Sequence, residues 1–248
     1  MRPWHGGDLR HEAATALAEV EVTPTTGAAP GYVADALCAT CHQDLAASYA
    51  EVGMARAFAR PENAVAVEDF SGVELAHEAS GDHYAMVRRD GRVIFARWRL
   101  DAAGREEHRI EIPVDWVLGS GHTSRTYLFQ TPNGELYQLP IAWYTQERAW
   151  GMAPGFDRAD HLGLQRRVAR ECLSCHNAYP EVPSGSDERS APDRFPAALP
   201  EGIGCQRCHG PGALHAGLAL AGRAGADELR LAIVNPARLP PARREDVC

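Results

Sequence analysis

The chain has 248 residues, of which 45% are hydrophobic and 23% charged, with a formal net charge of −8. That length supports a real core in one large domain or two small ones, and the negative charge makes nucleic acid a poor partner. No apolar run approaches the roughly 18 residues of a membrane-spanning helix.

Residues 1–31 read as a flexible lead-in, because Thr23-Pro24-Thr25-Thr26-Gly27-Ala28-Ala29-Pro30-Gly31 is rich in breakers and lacks periodicity. The mildly apolar stretch 13–22 is interrupted by Glu19 and Glu21, with no cleavage pattern after it, so it is not a signal peptide. Residues 32–248 form the main domain. It opens with Cys38-Ala39-Thr40-Cys41-His42, followed by a predicted helix over 44–58 in which Leu45, Tyr49, Val52 and Met54 share a face and Gly53 intrudes.

Residues 65–145 predict a small antiparallel sheet. Strands at 84–89 and 92–98 flank Asp90-Gly91, a pair suited to a two-residue turn in which both positions need positive φ. A third apolar run covers 108–117. A second hairpin joins 126–130 to 136–144 through Thr131-Pro132-Asn133-Gly134.

Residues 157–248 return to helices and loops. The stretch 161–171 leads into Cys172-Leu173-Ser174-Cys175-His176. Residues 180–200, rich in Pro, Ser and Asp, read as a surface loop. Cys205-Gln206-Arg207-Cys208-His209 runs into a predicted helix over 213–223, and a short helix over 227–234 stops before Asn235-Pro236. The fold class is α+β: haem-packed helices and loops, with the sheet inserted between the first and second Cys-x-x-Cys-His motifs.

Cys-x-x-Cys-His is a covalent haem-attachment pattern. Two intervening residues let one helical turn carry a thiol to each vinyl group of the macrocycle, and the adjacent histidine meets the iron. Three such motifs predict three haem c groups, held by Cys38, Cys41, Cys172, Cys175, Cys205 and Cys208, with His42, His176 and His209 as proximal ligands. Structural zinc also uses paired cysteines but does not require a histidine directly after each pair. A thioredoxin-like redox pair would need a βαβ unit, and none is visible.

A six-coordinate haem needs a second ligand, which His or Met supplies. Eight histidines lie outside the motifs: His5, His11, His77, His83, His108, His122, His161 and His215. Only Gly210-Pro211-Gly212-Ala213-Leu214 separates His209 from His215, so His215 reaches a neighbouring haem more easily than its own. The aromatics Trp98, Trp116, Trp143, Tyr127 and Tyr144 can pack on haem faces or fill the core of the sheet.

The segments Gly119-Ser120-Gly121-His122-Thr123-Ser124-Arg125-Thr126-Tyr127, Leu139-Pro140-Ile141-Ala142-Trp143-Tyr144 and the extended second and third motifs resemble bacterial multihaem c-type cytochromes of the kind often fused to tetratricopeptide repeats. These are distantly similar to the tetrahaem cytochromes of nitrifying bacteria. The resemblance covers roughly residues 31–248 and implies electron transfer outside the cytoplasm through packed, mostly bis-His haems. It implies distal ligand roles for His122, His215 and His77, and for Met54, which sits where related chains carry Met or His and would be an axial ligand to the first haem, making it His/Met unless that haem is bis-His. It also implies that Cys248 opens a fourth haem site, since related chains continue there into a further motif. His83 and His161 stand in reserve.

Two main functions follow as expectations. One is an electron relay with redox-protein partners, periplasmic or extracellular, whose targeting segment lies outside the given sequence; stacking of subunits into a haem-lined assembly is compatible with it. The alternative is a multihaem oxidoreductase acting on a small nitrogen or sulfur compound at an open haem, with Arg125, Tyr127 and His122 as the candidate groups beside it.

Overall fold

A computed structural model describes residues 14–16, 31–178 and 190–247. Among these, the chain divides into two compact units. The first holds 14–16, 31–51, 178 and 203–247, and the second holds 52–177 and 190–202.

The second unit carries nine strands: β1 (Phe58–Ala59), β2 (Leu75–His77), β3 (Asp82–Arg89), β4 (Arg92–Leu100), β5 (Glu106–Pro113), β6 (Trp116–Leu118), β7 (Ser124–Gln130), β8 (Leu136–Tyr144) and β9 (Ala149–Met152). The turn between β3 and β4 has φ of 51° at Asp90 and 77° at Gly91, the left-handed pair that the Asp-Gly dipeptide predicts. The β7–β8 turn closes through the Thr131 N–H donating to Glu135 O at 2.9 Å, with Gly134 at φ 88°.

The expected single sheet is two antiparallel sheets, ordered β1-β6-β7-β8-β9 and β2-β3-β4-β5. The run over 108–117 is split between them at Pro113, which has no N–H to extend a ladder. Within two residues the chain changes sheet: the Val114 N–H bonds Val93 O, while the Asp115 N–H bonds Leu128 O.

The strand pattern buries Tyr84, Met86, Phe95, Tyr127, Ile141 and Trp143 in one cluster to which both sheets contribute. A second cluster gathers Phe58, Trp116, Leu128, Leu136 and Leu173. Trp98, Trp116, Trp143 and Tyr127 thus fill cores of the sheets, and Tyr144 is half-buried with its hydroxyl donating to Met152 O. Leu173 belongs to a helix over Arg170–His176, described with the helices below, and is 1% exposed.

The helices in chain order are α1 (Asp35–Cys41), α2 (Gln43–Ala50), α3 (Arg170–His176), α4 (Gln206–His209), α5 (Ala213–Ala221), α6 (Ala226–Leu231) and α7 (Pro241–Arg244), with 3-10 turns at Pro236–Arg238 and Glu245–Val247. All but α3 belong to the first unit. α2 stops at Ala50, short of the predicted 58, and the chain turns through Gly53 before β1. α5 ends where Gly222 takes the left-handed conformation at φ 67°.

The two units differ in what holds them together. All four clusters of buried hydrophobic residues lie in the second unit. Among the described residues of the first, the buried hydrophobics are Val33 and Leu218. No helix of the described residues is long and apolar enough to cross a membrane.

Candidate haem-binding site

Each motif places its two cysteines about one helical turn apart. Cys38 and Cys41 lie in α1, with His42 as its C-cap. Cys172, Cys175 and His176 lie in α3. Cys205 caps α4, which contains Cys208 and His209. Residues at i and i+3 share a helix face, so both thiols of a pair present to one side. All six cysteines are free thiols, exposed or half-buried. Leu173, inside the second motif, anchors that motif on the sheet cluster.

In the first unit the first and third motifs are tied together. The Gln206 carboxamide, 5% exposed, accepts from the Val33 and Gly212 N–H groups at 3.0 Å each, while its nitrogen donates to Val33 O. Asp35 accepts from the Cys205 N–H at 3.1 Å and from the Gln206 amide nitrogen at 3.3 Å. The Cys38 and Cys205 sulfurs lie within 4.8 Å of each other. The interaction with Cys205, then burial, and the nearby Asp35 carboxylate push Cys38 up, and the interaction with Cys38 pulls Cys205 down. Tyr49 donates to Ile203 O at 2.8 Å, and burial pushes its hydroxyl up to about 12, aided by Cys208, Cys205 and Asp35.

The ligand atoms of Asp35, Cys38 and Cys205 lie within 4.8 Å of one another, the one such group among the described residues. Cys41 and Cys208 are outside it, so the four thiols of these two motifs do not close the tetrahedral cage that structural zinc requires.

The histidines of the first unit supply the most telling geometry. The His42 and His215 rings lie with centroids 6.2 Å apart and planes 17° from parallel. Two imidazoles bonded to one iron from opposite sides would stand roughly 6 Å apart, twice the sum of a metal–nitrogen bond and half a ring. His215 Nδ1 lies 2.9 Å from Leu229 O, and His209 Nδ1 lies 2.8 Å from Val234 O. A carbonyl only accepts, so both Nδ1 atoms carry the proton and both Nε2 atoms keep a lone pair for a metal.

The other candidate ligands lie in the second unit. Met54 is 45% exposed, in the turns after α2. His122 is exposed in the loop after β6, and a Cβ on Gly53 would lie 3.3 Å from the Ser120 hydroxyl, so the loops bearing Met54 and His122 adjoin. His77 is engaged at both ring nitrogens, with the Ser80 hydroxyl at 2.8 Å and Asp157 O at 3.2 Å. Its ring lies 5.6 Å from that of His161, whose basicity is lowered by burial first and by His77 second. His83 bonds Glu74, and His176 is exposed. Cys248, like His5 and His11, lies outside the described residues.

Arg125 and Tyr127, candidates for chemistry beside an open haem, are buried. The Arg125 and Glu68 side chains are 1% and 2% exposed and pair at 2.9 Å, and the Tyr127 hydroxyl donates to the same carboxylate. Arg125 also donates to Gly119 O and Ser120 O, which pins the loop carrying His122.

The residues present fit haem c. Free thiol pairs sit one turn apart, each followed by a histidine, and His209 and His215 keep an Nε2 lone pair. The first unit leaves Leu45, Leu220, Leu231 and Val234 exposed and buries hardly any protein core, which suits a large apolar macrocycle held among its helices. Sequence reasoning missed Asp35, Gln206 and the carbonyls of Leu229 and Val234. Gln206 was open to notice inside a motif, but backbone acceptors leave no residue-type signal.

Residues 148–210 match the family of cytochrome c554 and c-prime. The matched stretch contains the second and third motifs in full, which supports a multihaem c-type cytochrome with covalently bound haem c. The solved undecaheme cytochrome from the S-layer of Carboxydothermus ferrireducens is similar at a TM-score of 0.45 and 18% identity. That similarity covers 90% of this chain and 25% of the solved one, so the chain spans about a quarter of that protein. No curated protein matches the chain.

Proposed function

We propose that this chain transfers electrons through closely packed, covalently bound haems, working outside the cytoplasm with redox-protein partners. Three haems are held at Cys38/Cys41, Cys172/Cys175 and Cys205/Cys208, with His42, His176 and His209 as proximal ligands. His215 is the distal ligand of the first haem, which makes that site bis-His. Met54, His77 and His122 are the distal candidates for the others, and Cys248 opens a fourth site.

The observation that carries this reading is the spacing of His42 and His215, whose ring centroids are as far apart as two imidazoles on one iron would be. The haem supplies one-electron redox chemistry, and the protein supplies ligands, spacing and exclusion. Imidazole on both faces leaves no position for substrate and keeps the iron in one spin state, so little has to move when the charge changes. The contact between Cys38 and Cys205 supports close approach of the first and third haem edges. The oxidoreductase alternative loses support because Arg125 and Tyr127 are spent on Glu68 inside the protein.

Carbon monoxide added to the fully reduced protein tests the proposal. An electron carrier with six-coordinate irons keeps its absorption spectrum, whereas a spectral shift equivalent to a whole haem identifies an open iron and returns the enzyme reading.

A further inference from the structure

The ligands His215 and His209 belong to different haems in the reading above, and this inference rests on that reading. Both are oriented by one short segment. His215 Nδ1 meets Leu229 O and His209 Nδ1 meets Val234 O, five residues further along. Leu229 lies within α6, a six-residue helix, where the last carbonyls have no intrahelical partner. These carbonyls also form the negative end of the helix, which favours a donor of growing positive character. Val234 lies past the helix and holds His209 twice: its own N–H bonds His209 O at 3.1 Å while its carbonyl takes the ring proton.

We infer that the backbone of residues 229–234 is a shared positioning segment for two haems, which aims the Nε2 atoms of His215 and His209 and lowers the potentials of both irons. A ring proton donated to a carbonyl makes the imidazole a stronger base at Nε2, and a stronger donor favours ferric over ferrous iron. Leu229 and Val234 thus act through the ligands they hold. Because their side chains are not what bonds, sequence comparison would not single them out.

The test replaces His215, and separately His209, with Nδ1-methylhistidine in the haem-loaded chain. This analogue keeps Nε2 but cannot donate from Nδ1. Each variant is expected to stay low-spin, with one haem shifted to higher potential: the first haem for position 215 and the third for position 209. Unchanged potentials with intact low-spin spectra would overturn the inference while leaving the ligand reading standing. A first haem that stays low-spin in His215→Ala overturns the ligand pairing itself, and with it the role of Leu229. If the analogues do not mature, proton NMR of the unaltered ferric protein decides. Two slowly exchanging, hyperfine-shifted ring N–H protons support the segment, and rapid exchange of both with solvent overturns it.

Discussion

His42 and His215 are far apart in the sequence, yet their ring centroids lie 6.2 Å apart with the ring planes nearly parallel. Neither approaches by its own local structure. His42 caps α1, His215 lies in the first turn of α5, and the Gly31 carbonyl that accepts the Ala213 N–H helps bring the two together. His215→Ala is therefore expected to open one axial position. The ferric spectrum should gain one high-spin haem out of the total, and the reduced protein should bind one equivalent of carbon monoxide. A spectrum identical to the parent would mean that His42 has another partner.

Three thiol pairs predict three covalent haems within residues 1–248. Intact mass after denaturation should exceed the polypeptide by three haem groups. Cys172→Ala combined with Cys175→Ala should remove one and leave the absorption of the other two in place, because the second motif is anchored through Leu173 on a protein core of its own unit.

Gln206 satisfies two buried N–H groups and donates to Val33 O. Gln206→Leu strands these partners, each worth roughly 1–3 kcal/mol. The expected result is a large drop in the thermal midpoint, together with disturbed spectra of the first and third haems and a quiet second haem. Equal disturbance of all three would contradict the tie between the first and third motifs.

Arg125 and Glu68 form an ion pair whose side chains are almost fully buried. Glu68→Gln leaves the guanidinium without its countercharge, at a cost of about 3–5 kcal/mol. Arg125→Met together with Glu68→Leu should be less harmful than the sum of the single changes, and a denaturant double-mutant cycle measures this. Additive losses would show that the pair is not energetically coupled.

Asp82 is buried, which by itself raises its pKa, but hydrogen bonds from Arg99 and Arg97 outweigh burial and hold it below its ordinary 3.8. A depressed native pKa stabilises the fold above the unfolded value, and that stability drains away as pH falls through the native one. Asp82→Asn should be less stable at neutral pH by roughly 1–3 kcal/mol. It should also lose less on going from pH 5 to pH 2 than the parent does, as followed by chemical denaturation at each pH.

Covalent patterns and short-range geometry were legible in the sequence alone. Cys-x-x-Cys-His specifies its chemistry within five residues, Asp90-Gly91 specifies its turn, apolar alternation placed β3 and β4 closely, and the Thr131-Pro132-Asn133-Gly134 turn placed β7 and β8. These features depend on bond lengths, φ preferences and a two-residue period, all of which are local. Helix ends were harder: α2 stops at Ala50 because the turn through Gly53 competes with the apolar period. The division of the strands into two sheets turned on which ladder Asp115 joins, a choice made by distant partners.

Only the tertiary structure brought His215 beside His42 of the first motif. It also showed that Arg125 is spent inside the protein, that Gln206 ties the first and third motifs together, and that the Leu229 and Val234 carbonyls hold the rings of His215 and His209. Those relationships join residues far apart in the chain, and several run through backbone atoms that every residue type shares. Residue identity therefore cannot encode them one position at a time; they emerge when loop closure brings the acceptors to the rings.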